Sequence, residues 1–193
     1  MAGEVKNKIK YGLKNAHYAL VTEDSGSGGI TFGTPKKLPG AVNLTASALG
    51  DKASFYADDE EYFGEFTNNG YEGSLELSMV PDEFKVDILG ETLDTKNVQF
   101  EKTNAIPKKF ALLFEFTGDQ RGIKHILYYC TAKRPNIEGE TKGETKEPKT
   151  ETFDFTSTNI PGTTIVKAKT TDTTDTTVLS SWYTTVYQET TTP

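Results

Sequence analysis

Apolar and polar residues alternate along most of this 193-residue chain, the period of two expected where one face of a strand is buried and the other is wet. In YEGSLELSM, Tyr71, Leu75, Leu77 and Met79 fall on one side and Glu72, Ser74, Glu76 and Ser78 on the other. In KKFALLFEF, the side bearing Phe110, Leu112, Phe114 and Phe116 opposes Ala111, Leu113 and Glu115. The GDQRG turn at 118–122 and the apolar run IKHILYYCTA then make 109–133 a hairpin. Further strands are expected near 11–21, 41–47, 97–103, 150–157 and 163–170, about eight in all. The expected fold is mainly β, a sandwich or barrel with one short flanking α-helix.

That helix is predicted in VPDEFKVDILG, where the alternation stops. Pro81 suits the first helical position, Asp82 and Glu83 place negative charge at an N-terminus, and Gly90 is a C-terminal stop. Val80, Phe84 and Ile88 recur every four residues with Leu89 beside them, which gives one apolar face. Near the end of the chain, Val178, Trp182 and Val186 repeat in the same way within DTTVLSSWYTTVYQE and predict a second helix, although the threonines around them weaken it. The tract EGETKGETKEPKTE at 138–151 has almost no apolar residue to bury and is expected to be a solvated loop or hairpin tip. The whole chain, 1–193, reads as a single domain with a long projecting loop near 49–69 and a polar loop near 136–149.

Composition narrows the chemistry. No apolar run approaches the roughly 20 residues of a membrane span, and MAGEVKNKIKYG lacks the apolar stretch of a signal peptide, so the chain is expected to be made and used in a cytoplasm, with no membrane partner. The formal charge of −7 disfavours tight binding to a nucleic-acid backbone. The basic pairs Lys36–Lys37 and Lys108–Lys109 sit beside prolines and do not form a stripe. The single cysteine, Cys130, lies in ILYYC and reads as a small buried hydrophobe. His17 and His125 both lie in predicted strands, with no nucleophile or acid spaced near them, and read as structural. HExxH, paired CxxC, phosphate-loop and GxSxG patterns are all missing, and GSGG at 26–29 leads into ITFG as a hairpin loop would. No catalytic residue, cofactor or metal site is expected.

One stretch stands apart. FYADDEEYF sets four consecutive acids, Asp58, Asp59, Glu60 and Glu61, between Phe55, Tyr56, Tyr62 and Phe63. Its spacing does not match a calcium-binding loop, which alternates its ligands around a central glycine. A pair of glycosidase-like acids is an open alternative, since any two carboxylates can meet in a fold. Large aromatics beside the charges point instead to anchors at a protein interface, and the long interval from Leu49 to Asn69 points the same way.

Taken in order, NKIKYGLKNAHYA, PGAVNLT, FYADDEEYF, NNGYEGSLEL, PDEFKVDILGE and SSWYTTVYQ closely resemble the major tail protein family of long-tailed phages and prophages of Gram-positive bacteria. The likeness runs over nearly the whole chain. It implies a structural virion protein without enzymatic activity, which forms homohexameric rings that stack into the tail tube, the conduit for DNA ejection. The partners implied are further copies of the chain and other tail proteins (tail tip, tape measure and terminator), with DNA as transient cargo. The resemblance also implies a long loop reaching toward the neighbouring ring; by position Phe55–Phe63 is that loop, and the segment holding Lys8, Lys10 and Tyr11 is a second candidate contact arm. Six copies multiply the formal charge of −7, and an acidic lumen repels passing DNA; the face bearing Glu72, Ser74 and Glu76 is the candidate lining. Two other readings stay open: a monomeric β-sandwich binding carbohydrate or a host surface through the nonamer's aromatics, and a small hydrolase using its acids.

Overall fold

The segments that alternate in sequence pair as antiparallel strands. A computed structural model describes residues 11–23, 29–118, 122–139 and 149–190. The strands β1 (Leu13–Glu23), β2 (Ile30–Phe32), β3 (Lys36–Lys37), β4 (Ala41–Leu49), β5 (Lys52–Ala57), β6 (Glu60–Phe66) and β7 (Gly70–Leu77) precede a short helix, α1 (Asp82–Phe84), which runs on as a π-helical turn, Lys85–Leu89. After it come β8 (Thr92–Leu93), β9 (Gln99–Phe100), β10 (Phe110–Phe116), β11 (Lys124–Ala132), β12 (Glu151–Thr158), β13 (Lys167–Lys169) and α2 (Thr176–Ser181). Nine strands form one sheet in the order β2-β1-β10-β11-β12-β7-β4, with β3 also on β1 and β13 also on β11. Two pairs, β5–β6 and β8–β9, stand apart from it.

The sheet curls on itself. The chain bonds to β1 through Leu38 N–H and the Ala16 carbonyl (2.8 Å), then to the far side through Ser78 N–H and the Gly40 carbonyl (2.8 Å), so β4 returns alongside β1 with Cα atoms within 8 Å. Inside the curl, Leu75, Leu77, Phe110, Leu112, Phe153 and Phe155 build the main core. The outer face of the same strands carries a second cluster, Ala111, Leu113, Ile126 and Tyr128, covered by Trp182 and Val186. FALLFEF is apolar on both sides because β10 is covered on both.

At one end, α1 plugs the core. Val80, Phe84, Ile88 and Leu89 are all fully buried, as their spacing predicts, and the wider π turn lets the adjacent Ile88 and Leu89 both reach the interior. Gly90 ends it in the left-handed conformation (φ 79°). Pro81 is the N-cap, one residue outside the predicted first helical position. The Tyr18 hydroxyl donates to Asp87 (2.9 Å) and the Lys36 ammonium to both Asp87 (2.6 Å) and Glu83 (2.7 Å), tying the plug to β1 and β3. Burial disfavours ionised Asp87, yet these two donors outweigh it and hold the carboxyl below its ordinary range.

The mainly β fold is as expected, and both predicted helical segments form, each shorter than its apolar stripe. Several expectations are corrected. The strand near 97–103 shrinks to Gln99–Phe100 of the β8–β9 hairpin, because DTKN makes a turn: the Asp94 carboxylate accepts from Lys96 N–H and Val98 N–H, each at 2.8 Å, and Asn97 takes φ 61°. The strand near 163–170 is only Lys167–Lys169. Met79 is exposed, because β7 ends at Leu77 and the chain turns there toward the plug. The C-terminal helix covers only Thr176–Ser181, capped by Asp175 accepting from Thr177 N–H at 2.7 Å, although its apolar stripe continues past it to Trp182 and Val186. Most of the 138–151 tract, and the GSGG and GDQRG turns in part, lie outside the described residues.

Candidate functional site

The nonamer belongs to a hairpin, which corrects the expected loop at 49–69. β4 and β7 run past the edge of the sheet and their ladder continues, through Asn69 N–H to Leu49 O (2.8 Å) and Thr67 N–H to Asp51 O (3.0 Å), into β5 and β6. Six residues of β5 carry this arm about 20 Å outward. Asp58 and Asp59 form its tip with φ 51° and 62°, the paired positive values of a two-residue hairpin turn, which aspartate tolerates better than most residues. Glu60 and Glu61 fall in β6, opposite Ala57 and Tyr56.

Register decides what the arm presents. Phe55 lies directly across from Phe63, and an irregularity beside Tyr56 leaves Tyr62 as the extra residue of a bulge. Glu61 is drawn across the ribbon by Lys52, with which it pairs, and by the Ser54 hydroxyl at 3.1 Å. Asp58, Asp59 and Glu60 stay exposed at the tip. Phe55 is 59% exposed, Tyr56 65%, Tyr62 80% and Phe63 53%. A fifth ring, Phe66 at 75%, lies three residues past the nonamer at the end of the same strand and escapes a reading confined to the nonamer. A two-stranded ribbon has no core of its own, so five open aromatic rings on one are suited to burial against another surface.

The other expected site residues are placed as follows. Tyr11 is 65% exposed, with its ring lying across Gly118 so closely that a Cβ there would sit 2.1 Å from it. Lys8 and Lys10 lie outside the described residues. Cys130 is fully buried, which pushes its thiol up to about 12. His125 stacks on Phe114 (5.2 Å) at the edge of the core. Glu72, Ser74 and Glu76 share the outward face of β7, with the Ser74 hydroxyl 2.9 Å from that of Thr45. Beside them runs an open groove of about 870 Å³ lined by Glu72, Ser74, Asp154, Thr131 and Lys133, with Thr103 and Pro107 along it. Among the described residues no group of three or more His, Cys, Asp or Glu side chains is placed to hold a metal ion, and no helix is long and apolar enough to cross a membrane.

A polar knot lies under the C-terminal segment. Glu115, 6% exposed, accepts from Asn15 Nδ2 at 2.6 Å and pairs with Lys14 at 3.3 Å. His17 donates its Nδ1–H to the Asn15 carbonyl (2.8 Å) and stacks on Tyr183 (4.6 Å), while the Lys124 ammonium reaches the Leu179 carbonyl (2.6 Å). Burial, helped by Lys37, lowers the His17 pKa against the opposing pull of Asn15 and Glu115. A histidine kept neutral in the fold stabilises it fully above the ordinary value of 6.5, and that contribution falls away as pH drops below it toward the folded value. His17→Gln is therefore expected to melt below wild type at pH 7.5, with the gap narrowing by pH 5.5; thermal melts across this range check it, and a constant gap contradicts it.

No family model matches the sequence, and no curated protein matches it.

Proposed function

We propose that the chain is a structural, self-assembling subunit of a phage tail tube, forming six-membered rings that stack around a lumen through which DNA passes as transient cargo. The observation that carries this reading is the β5–β6 arm: an ordered ribbon outside the sheet, with five exposed aromatic rings and an acidic tip. The mainly β fold and the ordered sequence resemblance described above support it. Ring closure and axial stacking both require heterologous contacts, and an arm that leaves the body on one side suits the second. In this role the chain is built into the virion after assembly in the host cytoplasm, beside the tail tip, tape measure and terminator proteins, and it turns over no substrate. Negative-stain electron microscopy with light scattering at high protein concentration is expected to give hollow rings or tubes with sixfold symmetry. A strict monomer, even after mixing with tail-initiating proteins, overturns the reading.

The polar groove beside Glu72 and Asp154 favours one alternative, a monomeric module that binds carbohydrate. That reading predicts a ligand-dependent rise in melting temperature without any assembly.

A further inference from the structure

The arm has a counterpart at the opposite end of the same strands. It leaves the sheet after Leu49 and returns at Gly70, whereas β7 runs from Gly70 to Leu77 and delivers the chain to α1 and the β8–β9 hairpin at the far end. There a second set of apolar side chains is open: Leu93 (54% exposed), Val98 (51%), Phe100 (46%) and Ile106 (82%). Their charge surroundings are opposite to the arm's. From Lys52 to Phe66 the arm carries five acids and one lysine, and that lysine pairs with Glu61. From Thr92 to Lys109 the far segment carries four lysines and two acids. Both acids are engaged locally, Asp94 in closing its own turn and Glu101 with Arg134 at 3.2 Å. Lys96, Lys102 and Lys108 are exposed.

We infer that the β8–β9 hairpin and the connection after it, with Val98 and Phe100 on one face of the hairpin and the open Ile106 as its apolar contacts and Lys96 and Lys102 at its rim, receive the β5–β6 arm of a second copy. The inference rests on the reading of the arm as a contact between copies and adds the surface it meets. Aromatic anchors meet these apolar contacts while the acidic tip faces the lysines, which is the arrangement of a hydrophobic centre with a charged rim. Because donor and receiver sit at opposite ends of one subunit, the contact is head to tail and leaves a free arm and a free receiver at the two ends of every stack. It propagates along an axis without closing.

A charge swap tests the pairing. The arm variant carries Asp58→Asn, Asp59→Asn, Glu60→Lys and Glu65→Lys, which keep turn-compatible residues at the tip. The receiver variant carries Lys96→Glu and Lys102→Glu, both exposed and neither a member of the buried core. With melting temperatures matched to wild type, each alone at low salt is expected to need about tenfold more protein to assemble, by light scattering and electron microscopy. An equimolar mixture is expected to assemble close to wild type, since each arm then meets a receiver of opposite sign. If both variants fail alone and the mixture fails too, or if the receiver variant assembles like wild type, this pairing is overturned while the arm remains a contact. An arm variant that assembles like wild type overturns the role of the arm itself, and a wild-type chain that stays monomeric up to millimolar concentration, even after mixing with tail-initiating proteins, overturns the assembly reading beneath both.

Discussion

Phe84→Ala is expected to lower the melting temperature by about 10 °C, the largest stability effect of any single substitution considered for this chain. The three residues of α1 and the π turn after it are too short to hold helical structure by propensity. What holds them is the Phe84 ring, fully buried and in contact with Tyr18 (5.0 Å, edge-on), Phe110 (5.5 Å, edge-on) and Phe153 (4.9 Å, stacked). Truncating it removes those contacts and leaves a cavity between rings fixed on β1, β10 and β12, at a cost of about 3–5 kcal/mol. Glu83→Ala, on the exposed side of the same turn and 64% accessible, is the control and is expected to change stability by no more than about 0.5 kcal/mol. A Phe84→Ala melt within a few degrees of wild type contradicts the packing of the plug.

Replacing Phe55, Tyr56, Tyr62 and Phe63 together with serine is expected to abolish tube formation and leave the body of the fold intact. All four rings are more than half exposed and none belongs to either buried cluster, so the melting temperature is expected to move by no more than about 2 °C. If they anchor a contact between copies, losing all four removes most of the binding free energy, which a few large side chains usually supply. Circular dichroism, melting and electron microscopy on the same preparation separate the two effects. Normal-length tubes from this variant would falsify the assignment of the arm; a collapse in melting temperature would show that the arm packs on its own body.

The parts of the fold that were readable in advance are those where local pattern and burial agree. FALLFEF and YEGSLEL announce both faces of their strands, and Val80, Phe84, Ile88 and Leu89 announce the plug. The sequence singles out the residues of the nonamer and does not announce that they pair as a ribbon. Asp-Asp is a weaker hairpin signal than Asn-Gly, the two glutamates that follow have low strand propensity, and without a buried face no alternation is imposed on 52–66. The open apolar side chains at the far end are hard to read in the sequence for a related reason. Leu93, Val98, Phe100 and Ile106 show no sustained period because β8 and β9 are two residues each, joined by a tight turn, and Ile106 lies in the connection after them. The stripe Val178, Trp182 and Val186 was legible as packing, yet it overstated the helix, since threonine and serine around it stop α2 at Ser181.

The covering of β10 from outside has a consequence for the order in which the protein is made. Ala111, Leu113 and Ile126 are synthesised more than fifty residues before Trp182 and Val186. A nascent chain can pair β10 with β11 while the lid for their outer side is still missing, and for that interval an apolar strip faces the translation machinery and any neighbouring chain. Polysomes crowded with copies of one chain are where such strips meet, so the segment holding Trp182 and Val186 sets when that strip is closed to its neighbours.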